Sequence, residues 1–372
     1  MNEAHSTCVD NTRTVESALC VAMIPDYRTE NPYQKLIADE LTKRGVRVVF
    51  PKGGRRIFPL LQAARHERCN IVHLHWITPF LHDAIAPVYV LYAIRLILDI
   101  ALTRINNIRV VWTIHNKISH DARHPKLEML VQRIIANIVN TMIVHSAEIR
   151  REISVNLKKP ISSFYVIPHL SYAHIYGEAP NTVESRRQLN LKPTGRIFLN
   201  FGLMKPYKGL QKLLESWSAS ELGHQGNTLL LAGKFMNPAF QSEITATASS
   251  IAGVRIDAGF VPNGHVRLYF GACDAVVLPF ERILTSGSLH LAITFGKPLI
   301  IPNIAALSDI LQDADTFVYD SDNPTGLTQA LRRCATIDLD QEQIKMDAIR
   351  QSLSSPADVA EATLQVYKDT MF

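Results

Sequence analysis

Residues 280–302 read as a strand end, a polar turn, a helix and a second strand, the repeating unit of a doubly wound α/β sheet. Thr285, Ser286, Gly287 and Ser288 fall where that helix begins, so side-chain oxygens can cap it while backbone N–H groups stay open. Open N–H groups and the helix dipole attract an anion, and Gly287 lets a phosphate approach the backbone. An ordinary capped helix would share this pattern. A second segment makes the phosphate reading the stronger one.

That segment is residues 198–209: an apolar strand, Gly202, and then Lys205 and Lys208 in a proline-containing turn before a helix. Cations on a loop at the carboxyl end of a strand face a ligand in the crevice of a doubly wound sheet. Lysines on one loop and N–H donors on the other would make a diphosphate clamp. A merely solvated turn is the bland alternative.

The strand and helix alternation extends along nearly the whole chain. Its 372 residues, 47% apolar, suffice for two cores. We expect an α/β protein of two Rossmann-like domains: a disordered tail over residues 1–17, a first domain over 18–177 and a linker over 178–195. A second domain follows over 196–355, and a final helix over 356–372 is expected to pack back on the first domain. The five cysteines are scattered and odd in number, which fits reduced cytosolic thiols. The polar start of the chain does not read as a signal peptide.

Charge is uneven. Residues 1–180 hold 22 lysines and arginines against 15 acids, a net +7, whereas the remainder is net −2. Without zinc spacing, RNP-type aromatics or a long basic run, nucleic acid is not expected as a partner. An anionic membrane surface or a phosphorylated substrate suits the excess better. Residues 84–104 are strongly apolar, yet Arg95 and Asp99 interrupt them, so they make a poor transmembrane span. They read as a packed helix or as an interfacial one whose apolar face touches lipid.

Polar residues gather at the predicted strand ends. Asn31 caps a helix, His75 and Trp76 end one strand, and another delivers His115 and Asn116. Asp121 follows within seven residues of His115, close enough for an acid/base pair, although a strand-end histidine is often only structural. His73 and His75 have a metal-like spacing but no third ligand nearby, so no metal is expected. His169 and Tyr172 lie in a later aromatic loop and complete the expected cleft lining.

Two such halves resemble the GT-B fold of nucleotide-sugar glycosyltransferases. Residues 201–209 are similar to the glycine, lysine and lysine-glycine segment of glycosyltransferase family 4, and Gly296-Lys-Pro298 to its G-K-P stretch. Asn31-Pro-Tyr33, Leu74-His-Trp76, Thr113-Ile-His-Asn116, Pro168-His169 and Ser286-Gly287 resemble segments of xanthan-type GDP-mannose mannosyltransferases. The resemblance implies that Gly202, Lys205, Lys208 and Thr285, Ser286, Gly287 and Ser288 hold the donor diphosphate. It implies a hexose transferred from a nucleotide sugar, GDP-mannose ahead of UDP-glucose, to a lipid-linked oligosaccharide in surface or exopolysaccharide assembly. No other cofactor is implied. The place implied is the cytoplasm, at the inner face of the plasma membrane.

One feature departs from family 4. Leu284 and Leu291 stand where it carries a glutamate pair, leaving Glu281 as a candidate for ribose contacts. Asp121 or His115 would be the base, with His75 and Asp83 behind them. The xanthan-type resemblance implies inversion and the family 4 layout retention. An epimerase or phosphorylase of related fold, or a non-catalytic nucleotide-sugar-binding module, are the rival classes.

Overall fold

The computed structural model describes residues 19–29, 31–51, 57–81, 85–118, 122–280, 286–304, 311 and 317–371. The expected tail, together with Asp83, Glu281, Thr285 and Asp121, lies outside them.

Two six-stranded, all-parallel sheets make up the frame. The first comprises β1 (Cys20–Ile24), β2 (Arg47–Val49), β3 (Ile71–Leu74), β4 (Arg109–Thr113), β5 (Thr141–Val144) and β6 (Phe164–Val166), in the order β2-β1-β3-β4-β5-β6. The second comprises β7 (Ile197–Phe201), β8 (Thr228–Gly233), β9 (Val254–Ala258), β10 (Ala275–Val277), β11 (Leu299–Pro302) and β12 (Val318–Tyr319), in the order β12-β11-β10-β7-β8-β9. Central strands such as β5 and β7 are buried at every position, as strands covered by helices on both faces must be.

Strand order reverses between β1 and β3 in the first sheet and between β7 and β10 in the second. At such switch points neighbouring loops diverge and open a crevice. Residues following all four of these strands line a single cleft of about 1070 Å³ between the sheets.

Helix starts follow local chemistry. The Asn31 side chain accepts from the Tyr33 N–H and caps the helix Pro32–Lys43, which has proline at its first position. Ser146 and Asn237 cap the helices Ala147–Leu157 and Pro238–Ser249 in the same way. Asp99, a charge within an apolar helix, has such a role at a distance. Fully buried, it accepts from the Leu60 and Leu61 N–H groups and caps the helix Pro59–His66. Burial raises the affinity of its carboxyl for a proton, and the two N–H donors oppose that rise.

The segment expected as a linker is no free tether. Its charged helix, Thr182–Gln188, is clamped to the second domain by Arg186, which donates to the carbonyls of Ala272, Pro193 and Gly195 and pairs with Asp274 at 2.7 Å. A guanidinium with five donors can satisfy that many acceptors at once. The C-terminal helix Pro356–Met371 packs against the helix Pro32–Lys43 and β4, held by Arg44–Glu361 and Thr141–Thr370 contacts. Its Tyr367 hydroxyl lies 2.6 Å from His73 Nδ1.

All four described cysteines are free and buried, and the Cys20 and Cys69 Sγ atoms sit 2.7 Å apart. Their separation of 49 positions hides this approach in the sequence.

Candidate active site

The second-domain wall of the cleft is built from two loops at the switch point. After β7 the chain passes Gly202 and closes a tight turn, Pro206–Lys208, with the Lys208 N–H donating to the Lys205 carbonyl at 3.0 Å. Gly209, at φ +70°, ends this turn and starts the helix Leu210–Ser220. The turn folds Lys208 back toward the sheet, where Nζ donates to Ser288 Oγ at 3.0 Å. Gly202 leaves room for that contact. Its φ is +117°, and a Cβ there would lie 2.7 Å from Ser288 Oγ and 3.5 Å from Lys208 Nζ.

Ser286 caps the helix Gly287–Thr294 by accepting from the Leu289 N–H. Ser286, Gly287 and Ser288 line the cleft opposite Lys205 and Lys208, and a side chain added at Gly287 would meet nothing nearer than the Tyr172 hydroxyl at 4.0 Å. The two segments anticipated as a clamp thus face each other. Lys208 is buried, and burial, then the nearby Lys205, push its pKa down to about 8. A cation held ready in this way gains most from an incoming anion.

Across the cleft, Tyr27, Asn31, Trp76, Asn116 and Tyr172 line the first-domain side. Trp76 stacks on His115 with centroids 4.4 Å apart and takes the edge of Tyr27 at 5.2 Å. An indole supported on one side and exposed to a cleft is a platform for a sugar ring.

His75, His115 and His169 sit behind this wall, not on the cleft itself. His75 Nδ1 is 3.2 Å from His115 Nε2, His115 Nδ1 is 3.2 Å from His145 Nε2, and His145 Nδ1 is 3.0 Å from the Ile167 carbonyl. His169 stacks on His290 of the second domain, 3.8 Å between centroids. Burial holds all of these imidazoles neutral, His145 down to about 4 and His75, His115 and His169 well below the usual value. Both ring nitrogens of His115, expected as a base, are engaged by neighbouring histidines, which leaves no free lone pair directed at an acceptor hydroxyl. Among the described residues no group of His, Cys, Asp or Glu is arranged to hold a metal ion.

Sequence reasoning missed the polar pair Glu128 and Gln132. Both are buried on the helix Pro125–Ile138, and Glu128 lines the cleft. Their signal was positional: they share a four-residue-spaced face with the buried Val131 and Ile135.

A nucleotide-sized cleft at two switch points, gripped on one side by lysines and a helix N-terminus, is the arrangement of a GT-B glycosyltransferase. Residues 195–336 match the family described as glycosyl transferases group 1. Over 305 residues the chain is 24% identical to GDP-mannose:glycolipid 4-beta-D-mannosyltransferase of Xanthomonas campestris pv. campestris, covering 81% of this chain and 79% of that protein. Among solved structures, sucrose-phosphate synthase from Thermosynechococcus elongatus superposes with a TM-score of 0.73 at 14% identity, over 94% of this chain and 98% of that one. Anabaena HepE in complex with UDP-glucose gives 0.71 at 11% identity, over 94% and 99%. The protein is a glycosyltransferase of GT-B fold with a glycosyl transferases group 1 domain in its second half.

Proposed function

We propose that the protein transfers mannose from GDP-mannose to a lipid-linked saccharide, inverting the anomeric centre, at an anionic membrane surface during polysaccharide assembly. The observation that carries the donor half of this reading is the buried Lys208, hydrogen-bonded to Ser288 at the switch-point cleft. As the acceptor oxygen bonds to the anomeric carbon, the bond from that carbon to the diphosphate breaks, and its electron pair leaves on the β-phosphate. Lys205, Lys208 and the N–H groups at Ser286–Ser288 stabilise that charge. The choice of GDP-mannose and glycolipid rests on the Xanthomonas relative, whose name also specifies a β-linked product.

The test is transfer of radiolabelled mannose from GDP-mannose to lipid-linked oligosaccharides extracted from membranes, with UDP-glucose as the competing donor. Label appearing in the organic phase with stoichiometric GDP is the expected result. Transfer from UDP-glucose alone would replace the donor, and donor binding without any transfer would leave only a binding module.

The membrane part of the proposal is supported by the helix Ala86–Ile105. One face packs on the domain, while Leu91, Ile94 and Leu98 are 64%, 50% and 48% exposed on the other. Leu130 and Ile134 of the adjacent helix extend the apolar face, and the exposed Arg104 and Lys126 border it. By length and composition this helix could also cross a membrane, but a third of it is buried in the fold. An apolar stripe edged with cations suits the surface of a bilayer rich in anionic lipid. Burying each aliphatic side chain is worth about 1.5–3 kcal/mol, so replacing Leu91, Ile94 and Leu98 together by serine is expected to weaken sedimentation with phosphatidylglycerol vesicles more than tenfold. Unaltered sedimentation of the triple variant would sink this surface.

A further inference from the structure

The reaction needs a group to take the proton of the acceptor hydroxyl, and the described carboxylates on the cleft offer two choices. Asp39 is exposed at the rim and paired with Lys35 at 2.6 Å. Glu128 is 4% exposed, on the acceptor-side wall. The exposed His174 also reaches the cleft, and His115 is closed off by its ring partners.

Glu128 is tied to a hydrogen-bond chain whose direction can be worked out atom by atom. The Ile167 carbonyl can only accept, so His145 Nδ1 carries the hydrogen and, in the neutral ring, Nε2 is bare. His115 Nδ1 must then donate to it, leaving His115 Nε2 bare to accept from His75 Nδ1. His75 Nε2 is therefore a buried lone pair, and it has no partner among the described residues.

His75, Glu128 and Gln132 wall a cavity of about 20 Å³ just behind the cleft. Gln132 Oε1 is likewise buried without a partner, while its amide nitrogen donates to Glu128 Oε1 at 3.3 Å. The space suffices for one water, which needs roughly 10–15 Å³. Its two hydrogens match the two acceptors, His75 Nε2 and Gln132 Oε1. With its oxygen held in this way, the Gln132 amide must turn its N–H toward Glu128.

We propose that Glu128 is the catalytic base of the transfer, and that the chain from the Ile167 carbonyl through His145, His115, His75, one water and Gln132 is a positioning device. It presents a donor to the Glu128 carboxylate and so keeps it aimed at the cleft. In the step itself, the acceptor hydroxyl gives its proton to a Glu128 oxygen as its own oxygen bonds to the anomeric carbon and the diphosphate departs. This assignment rests on the glycosyl-transfer reading but not on the identity of the sugar.

The test uses the full chain with whichever nucleotide sugar gives turnover. Loss of a general base lowers rate by about 10²–10⁴-fold, so Glu128→Gln is expected to lose at least 100-fold in kcat. Its calorimetric affinity for GDP should stay within about twofold of wild type, and Glu128→Asp should recover part of the rate. For the positioning chain, His75→Leu is expected to cut kcat about tenfold at unchanged KM, and His75→Gln, which restores an acceptor, to recover it. Glu128→Gln turning over within threefold of wild type, or losing GDP affinity together with rate, overturns the base assignment. So does abolition of turnover by Asp121→Asn alone with Glu128→Gln active. Equal rates for the two His75 variants overturn the positioning role. A wild-type protein that binds GDP but transfers no sugar from any donor instead contradicts the glycosyl-transfer reading on which both assignments rest.

Discussion

Replacing Lys208 by methionine is expected to weaken GDP binding by about 100-fold, with the fold intact. Hydrogen bonds to charged groups are worth about 1.5–3 kcal/mol, equivalent to roughly 10- to 150-fold in affinity, and the buried Lys208 would meet the diphosphate away from bulk water. Methionine keeps the length and apolar contacts of the stem, so Phe280, whose ring lies 5.7 Å from Nζ, loses little packing. The same residue gives the binding a pH signature. In the free protein its pKa is pushed down to about 8, so above that value most of the ammonium groups are neutral. A bound diphosphate favours the charged form, so binding takes up a proton, and the GDP Kd is expected to rise about tenfold from pH 7 to pH 9. Calorimetry in phosphate and Tris at pH 8 would show heats that differ with buffer ionisation, and Lys208→Met would abolish the difference. A methionine variant that binds GDP like the wild type would remove this lysine from the donor site.

The protein is expected to lose its fold steeply on mild acidification. His73, His75, His115, His145, His169 and His290 are all buried, and burial lowers the pKa of every one. The sign follows from proton counting. Below the ordinary histidine value near 6.5 the unfolded chain binds protons that the folded chain refuses, so stability is full above that pH and falls beneath it. Each group contributes up to about 1.4 kcal/mol per pH unit, so six together approach about 8 kcal/mol per unit, against a total stability of about 5–15 kcal/mol for a typical domain. Thermal unfolding should hold level from pH 8 to 7 and collapse between pH 6.5 and 5. A melting temperature that stays flat to pH 5 would mean these rings are charged or solvated in solution.

That the two polar loops of the second domain meet at one cleft was legible in the sequence because their chemistry is local. Lys205 and Lys208 are three residues apart, Ser286 and Ser288 two, and each pair sits in a turn next to an apolar strand. Parallel order then brings the turns together, since β7 and β10 are neighbours across the switch point. The histidine chain was present in the sequence in another form. His75, His115, His145 and His169 each stand one to three residues beyond β3, β4, β5 and β6, which are adjacent in the sheet. Read one at a time they were isolated polar residues, and only the lateral pairing of the four strands puts their rings within reach of one another. Glu128 was hidden for a different reason: a charge in the first turn of an amphipathic helix reads as a solvated cap. Asp99 was misleading in a similar way, counted as an interruption of an apolar helix when it serves as the cap of another.

The most direct test of the account is a crystal structure of the full chain with GDP. The account predicts the diphosphate in the cleft between the loop after β7 and the helix starting at Gly287, with Lys208 Nζ within about 3 Å of a phosphate oxygen and N–H groups at Ser286–Ser288 pointing at it. A diphosphate bound elsewhere, with Lys208 still turned to Ser288 alone, would contradict it.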